Sequence, residues 1–135
     1  MKLPKLTFIM ISVIALAAMS FSYQNSKPMA VFKAPASADA TVNPLKGDAA
    51  ATAAGQKLYK QQCAPCHGDK GKGDGAAAAA LAKPPANHTS AEVQKLTDGA
   101  LFWMITTGNN PMPSYKFMTE TQRWQLVNFI RTLKK

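Results

Sequence analysis

The chain has 135 residues, which leaves room for one domain of ordinary size. It carries 16 basic and 7 acidic residues, so its formal net charge is +9. A basic chain can bind nucleic acid, but arginine is scarce here and the N-terminus has the pattern of an export signal, so we expect no nucleic-acid partner.

The N-terminus has the layout of a secretory signal peptide. Met1 to Lys5 includes two lysines, and the uncharged, mostly apolar run from Leu6 to Met19 ends in small residues. A membrane span needs about 20 apolar residues, a length this run reaches only if it extends to Tyr23, so an uncleaved anchor is the alternative. We therefore predict a signal peptide or N-terminal anchor over residues 1–22. The protein would be periplasmic or exported, and an anchor would tether it to the outer face of the cytoplasmic membrane.

Residues 23–46 are rich in proline and alanine and show no apolar periodicity. Such a segment buries too little surface to offset its ordering entropy, so we predict a linker. The alternative is a short ordered arm that lies over the domain. Residues 47–135 then form the folded unit, which begins with a helix from the cap Asp48 to about Gln62.

Cys63-Ala64-Pro65-Cys66-His67 follows this helix and holds both cysteines of the chain. In a C-x-x-C-H run the two thiols can form thioether bonds to one haem, and the histidine is the proximal iron ligand. The motif thus predicts one covalently attached haem c, with iron bound by His67. Haem attachment of this kind takes place outside the cytoplasm in bacteria, which agrees with export.

Three other interpretations of the motif remain open. A thioredoxin-like dithiol should follow a strand, whereas the preceding segment is predicted to be helical. A structural zinc site needs four ligands, and beyond the motif only His88 could add one. A disulfide between Cys63 and Cys66 would close a very small loop and contribute little.

Three further helices are predicted downstream, and no segment alternates with the period of a strand, so the fold should be all-α. The first starts at a capping box over residues 89–92 and ends near Leu96. The second runs from Asp98 to Thr107 and closes at Gly108. The last follows the capping box of Thr119 and Gln122, with apolar side chains at a helical spacing.

The second axial position of the iron has four candidate ligands. Met104 lies inside a predicted helix and Met118 beside a helix cap, where methionine more often fills a core. His88 would give bis-histidine iron. Met112 lies between Pro111 and Pro113 on a stiff, non-helical loop, which can hold a thioether at an open iron site at little entropic cost, so Met112 is the predicted ligand.

Residues 55–135 resemble a bacterial class I, mitochondrial-type cytochrome c, and so residues 47–135 are assigned as a cytochrome c domain. The resemblance rests on the segments Cys63–Gly68, Lys83–Pro85 and Asn109–Pro113 and on the final helix with Trp124. It implies a small fold of about four helices around one haem, with the first and last helices crossing where Gly55 and Tyr59 meet Trp124, Val127 and Phe129.

The resemblance also implies roles for three other residues. In the family a proline carbonyl accepts a hydrogen bond from the proximal histidine, which here would be that of Pro84 or Pro85. The run Ala76–Ala80 lengthens the path to these prolines and leaves the choice open. Trp103 is similar by position to a haem-propionate donor, and its alternative is a core aromatic.

The predicted function is single-electron transfer between respiratory redox partners. With His67 and Met112 bound, the iron has no substrate position, so the chain itself would not be an enzyme. Its partner would be an acidic redox protein, steered by Lys70, Lys72 and Lys116, or a membrane respiratory complex in which the chain is a cytochrome c subunit. The alternative is a haem enzyme or gas sensor with an open sixth site, where His88 would be the distal group.

Overall fold

A computed structural model of the chain describes residues 32–134. The predicted signal peptide or anchor over residues 1–22, and the first part of the predicted linker, lie outside the described residues. In the described part of the chain, no helix has both the length and the apolar character needed to cross a membrane.

The described residues form five α-helices and no strand, which confirms the predicted all-α class. Two of the five are single turns, so the estimate of about four helices was close. The helices are α1 Ala49–Gln62, α2 Ala64–His67, α3 Ala91–Gln94, α4 Asp98–Thr107 and α5 Glu120–Thr132. Short 3-10 turns lie at Ala36–Ala40 and Ala78–Ala80.

Local capping chemistry sets the helix starts. Asp48 Oδ1 accepts from the Ala51 amide at 2.9 Å, and the predicted box of Thr119 and Gln122 is present with both of its bonds. Two predictions were displaced by one residue. The cap of α3 is Ser90 rather than Thr89, and that of α4 is Thr97, so Asp98 is the first residue of the helix and not its cap.

The first and last long helices, α1 and α5, cross at a glycine. A Cβ at Gly55 would overlap the backbone carbonyl of Gln125 and press on Phe129, so only glycine lets the two backbones approach this closely. Tyr59, one turn further along α1, packs its ring 5.0 Å from that of Phe129. Trp124, which was also predicted at this crossing, is buried and stacks on Phe102 of α4, with ring centroids 4.0 Å apart.

Residues 36–46 are an ordered arm rather than the predicted linker. Ala38 and Asn43 are buried, and Asn43 donates to both Asp98 of α4 and Asn128 of α5. Since the buried Asn43 bonds to the buried Asn128 and the partly buried Asp98, side-chain hydrogen bonding offsets the ordering entropy that the composition of this segment predicted would prevail.

Candidate functional site

Cys63, Cys66 and His67 lie on one tight turn at the end of α1. Cys63 ends α1, donating its amide to the Tyr59 carbonyl at 2.8 Å, and its own carbonyl accepts from the amides of Cys66 and His67. Pro65 stands in the first turn of α2, where a proline is tolerated because its amide would have no partner. The two sulfurs and the imidazole are therefore presented together by a rigid backbone.

The chemistry of the thiols decides among the interpretations of the motif. Both cysteines are free, and burial, followed by the charge of Cys66, raises the pKa of Cys63 to about 12. A dithiol oxidoreductase needs a lowered thiol pKa, and its motif would follow a strand rather than a helix such as α1. Within residues 32–134 no three His, Cys, Asp or Glu side chains cluster closely enough to hold a metal ion, whereas a structural zinc site needs four ligands.

A backbone carbonyl fixes the tautomer of His67. The imidazole is buried and its Nδ1 donates to the Ala86 carbonyl at 2.9 Å, so the lone pair for a metal is on Nε2. Burial lowers the pKa of His67 against the opposing effect of this bond. The acceptor was predicted to be Pro84 or Pro85; it is the carbonyl of the next residue, since the loop from 76 to 85 brings Ala86 to the ring.

The glycine-rich loop after His67 folds back over the carbonyl ends of α2. Gly73 and Gly75 donate their amides to the carbonyls of His67 and Cys66, at 2.8 and 3.1 Å. A Cβ on Gly75 would overlap the carbonyl oxygens of Ala64 and Pro65, so a side chain cannot be placed there. The loop thus closes the C-terminal end of the haem-attachment turn (residues 63–67) with backbone hydrogen bonds.

His88 lies against His67. The two imidazoles are stacked, with centroids 4.1 Å apart and planes at 19°. The Nδ1 of His88 is 2.9 Å from the Tyr59 hydroxyl, and burial and then the charge of His67 lower the pKa of His88 to about 3. A bis-histidine iron would need the two imidazoles to approach the metal from opposite sides, and the stacked rings of His67 and His88 do not fit that arrangement.

Met112 lies on a compact turn. The amide and carbonyl of Asn109 pair with those of Met112, at 2.9 and 2.8 Å, and Asn110 and Pro111 close the turn between them. Gly108 has a φ of 70°, and a Cβ there would overlap the backbone of Pro113 and Ser114. The partly buried Met112 side chain packs against the core cluster that includes Cys63.

Tyr115 connects the Met112 turn to the haem-attachment turn, and the sequence analysis missed it. Its amide donates to the Ile105 carbonyl of α4 at 3.2 Å, and its hydroxyl donates to the Gln62 carbonyl at 2.9 Å, one residue before Cys63. Burial, then the charges of Cys63 and Cys66, raise the pKa of Tyr115 to about 12. The available signal was a tyrosine three residues after Met112, which no motif distinguishes.

The remaining predicted residues fall in different places. Met118 is buried in the core, Met104 is half-buried on α4, and the ring of Trp103 packs 5.4 Å from that of Phe32, which precedes the arm. The role of Trp103 as a haem-propionate donor stays a prediction. Lys70 and Lys72 are exposed beside a shallow depression next to α2, and Lys116 is exposed on the segment after the Met112 turn.

These residues fit a covalently attached haem. The fit rests on two free thiols on one turn, an imidazole with its Nε2 lone pair available, and a thioether on a compact loop tied to that turn. Cysteine, histidine and methionine are the side chains that c-type sites use for attachment and for axial ligation.

The comparisons agree with this geometry. The family described as cytochrome c oxidase, cbb3-type, subunit III, matches residues 50–130. Among solved structures, a chain of the reducing HAO-like protein complex of Kuenenia stuttgartiensis is similar, with 30% identity and a TM-score of 0.55 over 60% of this chain. That match spans 41% of the Kuenenia chain, which is therefore much longer than the shared region. No curated protein matches the chain. The chain belongs to the matched cbb3-type subunit III family, and its cytochrome c domain carries a covalently bound haem c with iron.

Proposed function

We propose that this chain is an exported electron carrier of the class I type whose single haem is held by Cys63, Cys66, His67 and Met112. When bound, haem iron with these axial ligands accepts and releases one electron at a time. The observation that carries the proposal is the Tyr115 hydroxyl bond to Gln62, because it ties the turn that bears Met112 to the turn that bears His67.

The protein's own part is to hold the two axial side chains still. The Ala86 carbonyl fixes the tautomer and direction of His67, while the paired backbone of Asn109 and Met112 fixes the thioether loop. If these side chains bind the iron, they need little rearrangement when the iron gains or loses an electron. A site of this kind favours electron transfer over substrate binding.

The position of His88 speaks against the alternative of a haem enzyme or gas sensor. That function needs an acid or base on the face opposite His67, and His88 was the candidate. Stacked on His67 and hydrogen-bonded to Tyr59, it stands beside the proximal ligand instead. The chain is therefore proposed to have no catalytic residue of its own.

Two kinds of partner remain in the proposal. One is an acidic redox protein attracted by exposed lysines such as Lys70, Lys72 and Lys116. The other is a membrane respiratory complex of which the chain is a subunit, an idea supported by the family description and by a structural relative that is itself part of a complex. Co-purification of native protein from detergent-solubilised membranes separates the two.

Export and tethering are proposed from the first 22 residues alone. Mass spectrometry of the native protein tests both points together. A mature N-terminus near residue 21 or 23 indicates cleavage, whereas an intact Met1 with membrane association indicates an anchor. Recovery in the cytoplasm with Met1 intact would contradict export.

The axial ligand is tested with Met112→Leu in holoprotein made in a host that attaches haem. The matched control is Met104→Leu, which changes a half-buried methionine on α4. Met112→Leu should abolish the weak absorbance band near the red end of the ferric spectrum, lower the reduction potential and open the iron to carbon monoxide. Met104→Leu should retain all three properties. Loss of the band in the control, with its survival in Met112→Leu, would reassign the ligand.

A further inference from the structure

The backbone of His88 is hydrogen-bonded through both its amide and its carbonyl. Its amide donates to the Gly71 carbonyl at 2.6 Å, and its carbonyl accepts from Gln94 Nε2 at 2.7 Å. The same Gln94 nitrogen also donates to the Ile130 carbonyl of α5 at 2.9 Å. The backbone of His88 is thus fixed on one side by the glycine-rich loop and on the other by the last helix.

The side chain of His88 is fixed as well. Tyr59, which is fully buried in α1, has its hydroxyl 2.9 Å from His88 Nδ1, and its ring meets the histidine ring edge-on at 5.7 Å. Phe129 of α5 packs against the Tyr59 ring, so the tyrosine is itself held by the helix crossing. With one ring nitrogen hydrogen-bonded, His88 is restrained from turning about its side-chain bonds.

The face of His88 then restrains His67. A hydrogen bond from Nδ1 to the Ala86 carbonyl fixes the direction of the His67 ring but still allows a tilt about that axis. A nearly parallel ring 4.1 Å away opposes the tilt, because van der Waals contact is lost on one side and overlap grows on the other. Two neighbours therefore hold the ring, one at its edge and one at its face.

We propose that Tyr59 and His88 are positioning residues that fix the plane of the His67 imidazole at the iron, with Tyr59 acting through His88. The inference rests on the proposed function only in requiring His67 to be an iron ligand; it does not depend on Met112. The rotation of a histidine plane about its bond to iron sets the splitting of the iron d orbitals, so the plane can be observed in the ferric state without measuring electron transfer.

The test compares holoprotein variants by electron paramagnetic resonance of the ferric state and by reduction potential. The variants are Tyr59→Phe, which removes only the hydroxyl, His88→Leu, which removes the stacked ring, and the double variant. Gln56→Ala is the control, since it changes an exposed side chain on the same helix as Tyr59 and touches neither histidine. Each spectrum is also recorded for the cyanide adduct, in which every variant has the same sixth ligand.

Tyr59→Phe and His88→Leu should shift the g values in the same direction, with the larger shift in His88→Leu. The double variant should match His88→Leu, because the hydroxyl has no further route to His67. Gln56→Ala should retain the wild-type g values. Wild-type g values in both single variants, or additive shifts in the double variant, would overturn the inference. Because the cyanide adducts report on the His67 side alone, a failure of Met112 ligation would be seen separately in the uncomplexed wild type.

Discussion

Tyr115 is the residue that joins the turn bearing Met112 to the turn bearing Cys63, Cys66 and His67. Its hydroxyl reaches a carbonyl 53 positions earlier in the chain, and its amide is bonded to α4. Such a contact stabilises the loop around Met112 without touching the motif itself. Removing the Tyr115 hydroxyl would also leave the Gln62 carbonyl without this hydrogen-bond donor.

Tyr115→Phe should lower the free energy of unfolding of the holoprotein by about 1 kcal/mol, the usual net value of one hydrogen bond. The loss should fall mainly on the Met112 turn, so the red-end absorbance band should disappear at a lower temperature than the helical signal. Denaturant unfolding and a thermal scan of the band measure the two effects. Phe117→Leu, at a residue 73% exposed, is the control and should change neither. Equal stability of Tyr115→Phe and wild type would contradict this role.

At the scale of helices, the crossing of α1 and α5 depends on the absence of a side chain at Gly55. Gly55 faces the Gln125 backbone, which is part of a helix and cannot move aside as a flexible side chain can. Because α1 leads directly into Cys63, a shift at the crossing changes the place where the haem-attachment turn begins. The crossing therefore positions the site as well as the core.

Gly55→Ala should destabilise the holoprotein by about 1 to 3 kcal/mol, the usual cost of overpacking. Helix propensity alone predicts the opposite, a gain of about 1 kcal/mol for alanine over glycine, so the sign of the change is informative. Gln56→Ala, at the next and exposed position, should stay within about 0.5 kcal/mol of wild type. Urea unfolding followed by circular dichroism decides; a more stable Gly55→Ala protein would refute the close approach.

The sequence predicted what is local and missed what depends on the path of the chain. Helix starts, the Gly108 stop and the attachment turn follow from neighbouring residues, and each was found to within one position. The acceptor for His67 was misplaced by one residue because the loop conformation between Ala76 and Pro85 is not encoded by a motif. The contacts of Trp124 with Phe102 and of His88 with His67 were not predicted for the same reason, since the two residues of each pair lie on different segments of the chain.

At the scale of the whole molecule, Asp98 ties the N-terminal arm and the last helix to α4. Its carboxylate accepts from Asn43 Nδ2 at 2.9 Å and from Arg131 Nε at 2.7 Å. Asn128 completes the junction by donating to the Leu45 carbonyl. Burial raises the pKa of Asp98, but the bonds from Asn43 and Arg131, together with the Arg131 charge, outweigh it and hold the pKa below its ordinary value.

This junction should make stability depend on pH. A carboxyl group whose pKa is lower in the folded state stabilises the fold above its unfolded pKa, about 3.9, and loses that contribution as the pH falls through the folded value. Asp98→Asn should therefore be less stable than wild type at neutral pH, and the difference should shrink steadily below about pH 4. Unfolding free energies measured from pH 7 to pH 2 test this. A difference that is the same at every pH would contradict the charge-based account.

The central claim is that His67 and Met112 hold the iron closed for electron transfer. The most direct measurement is rapid mixing of the reduced, native holoprotein with carbon monoxide, followed by its absorption spectrum. We predict a low-spin, six-coordinate spectrum that carbon monoxide leaves unchanged on the time scale of mixing. A high-spin spectrum with rapid formation of the carbon monoxide complex would contradict the claim and point instead to an open site.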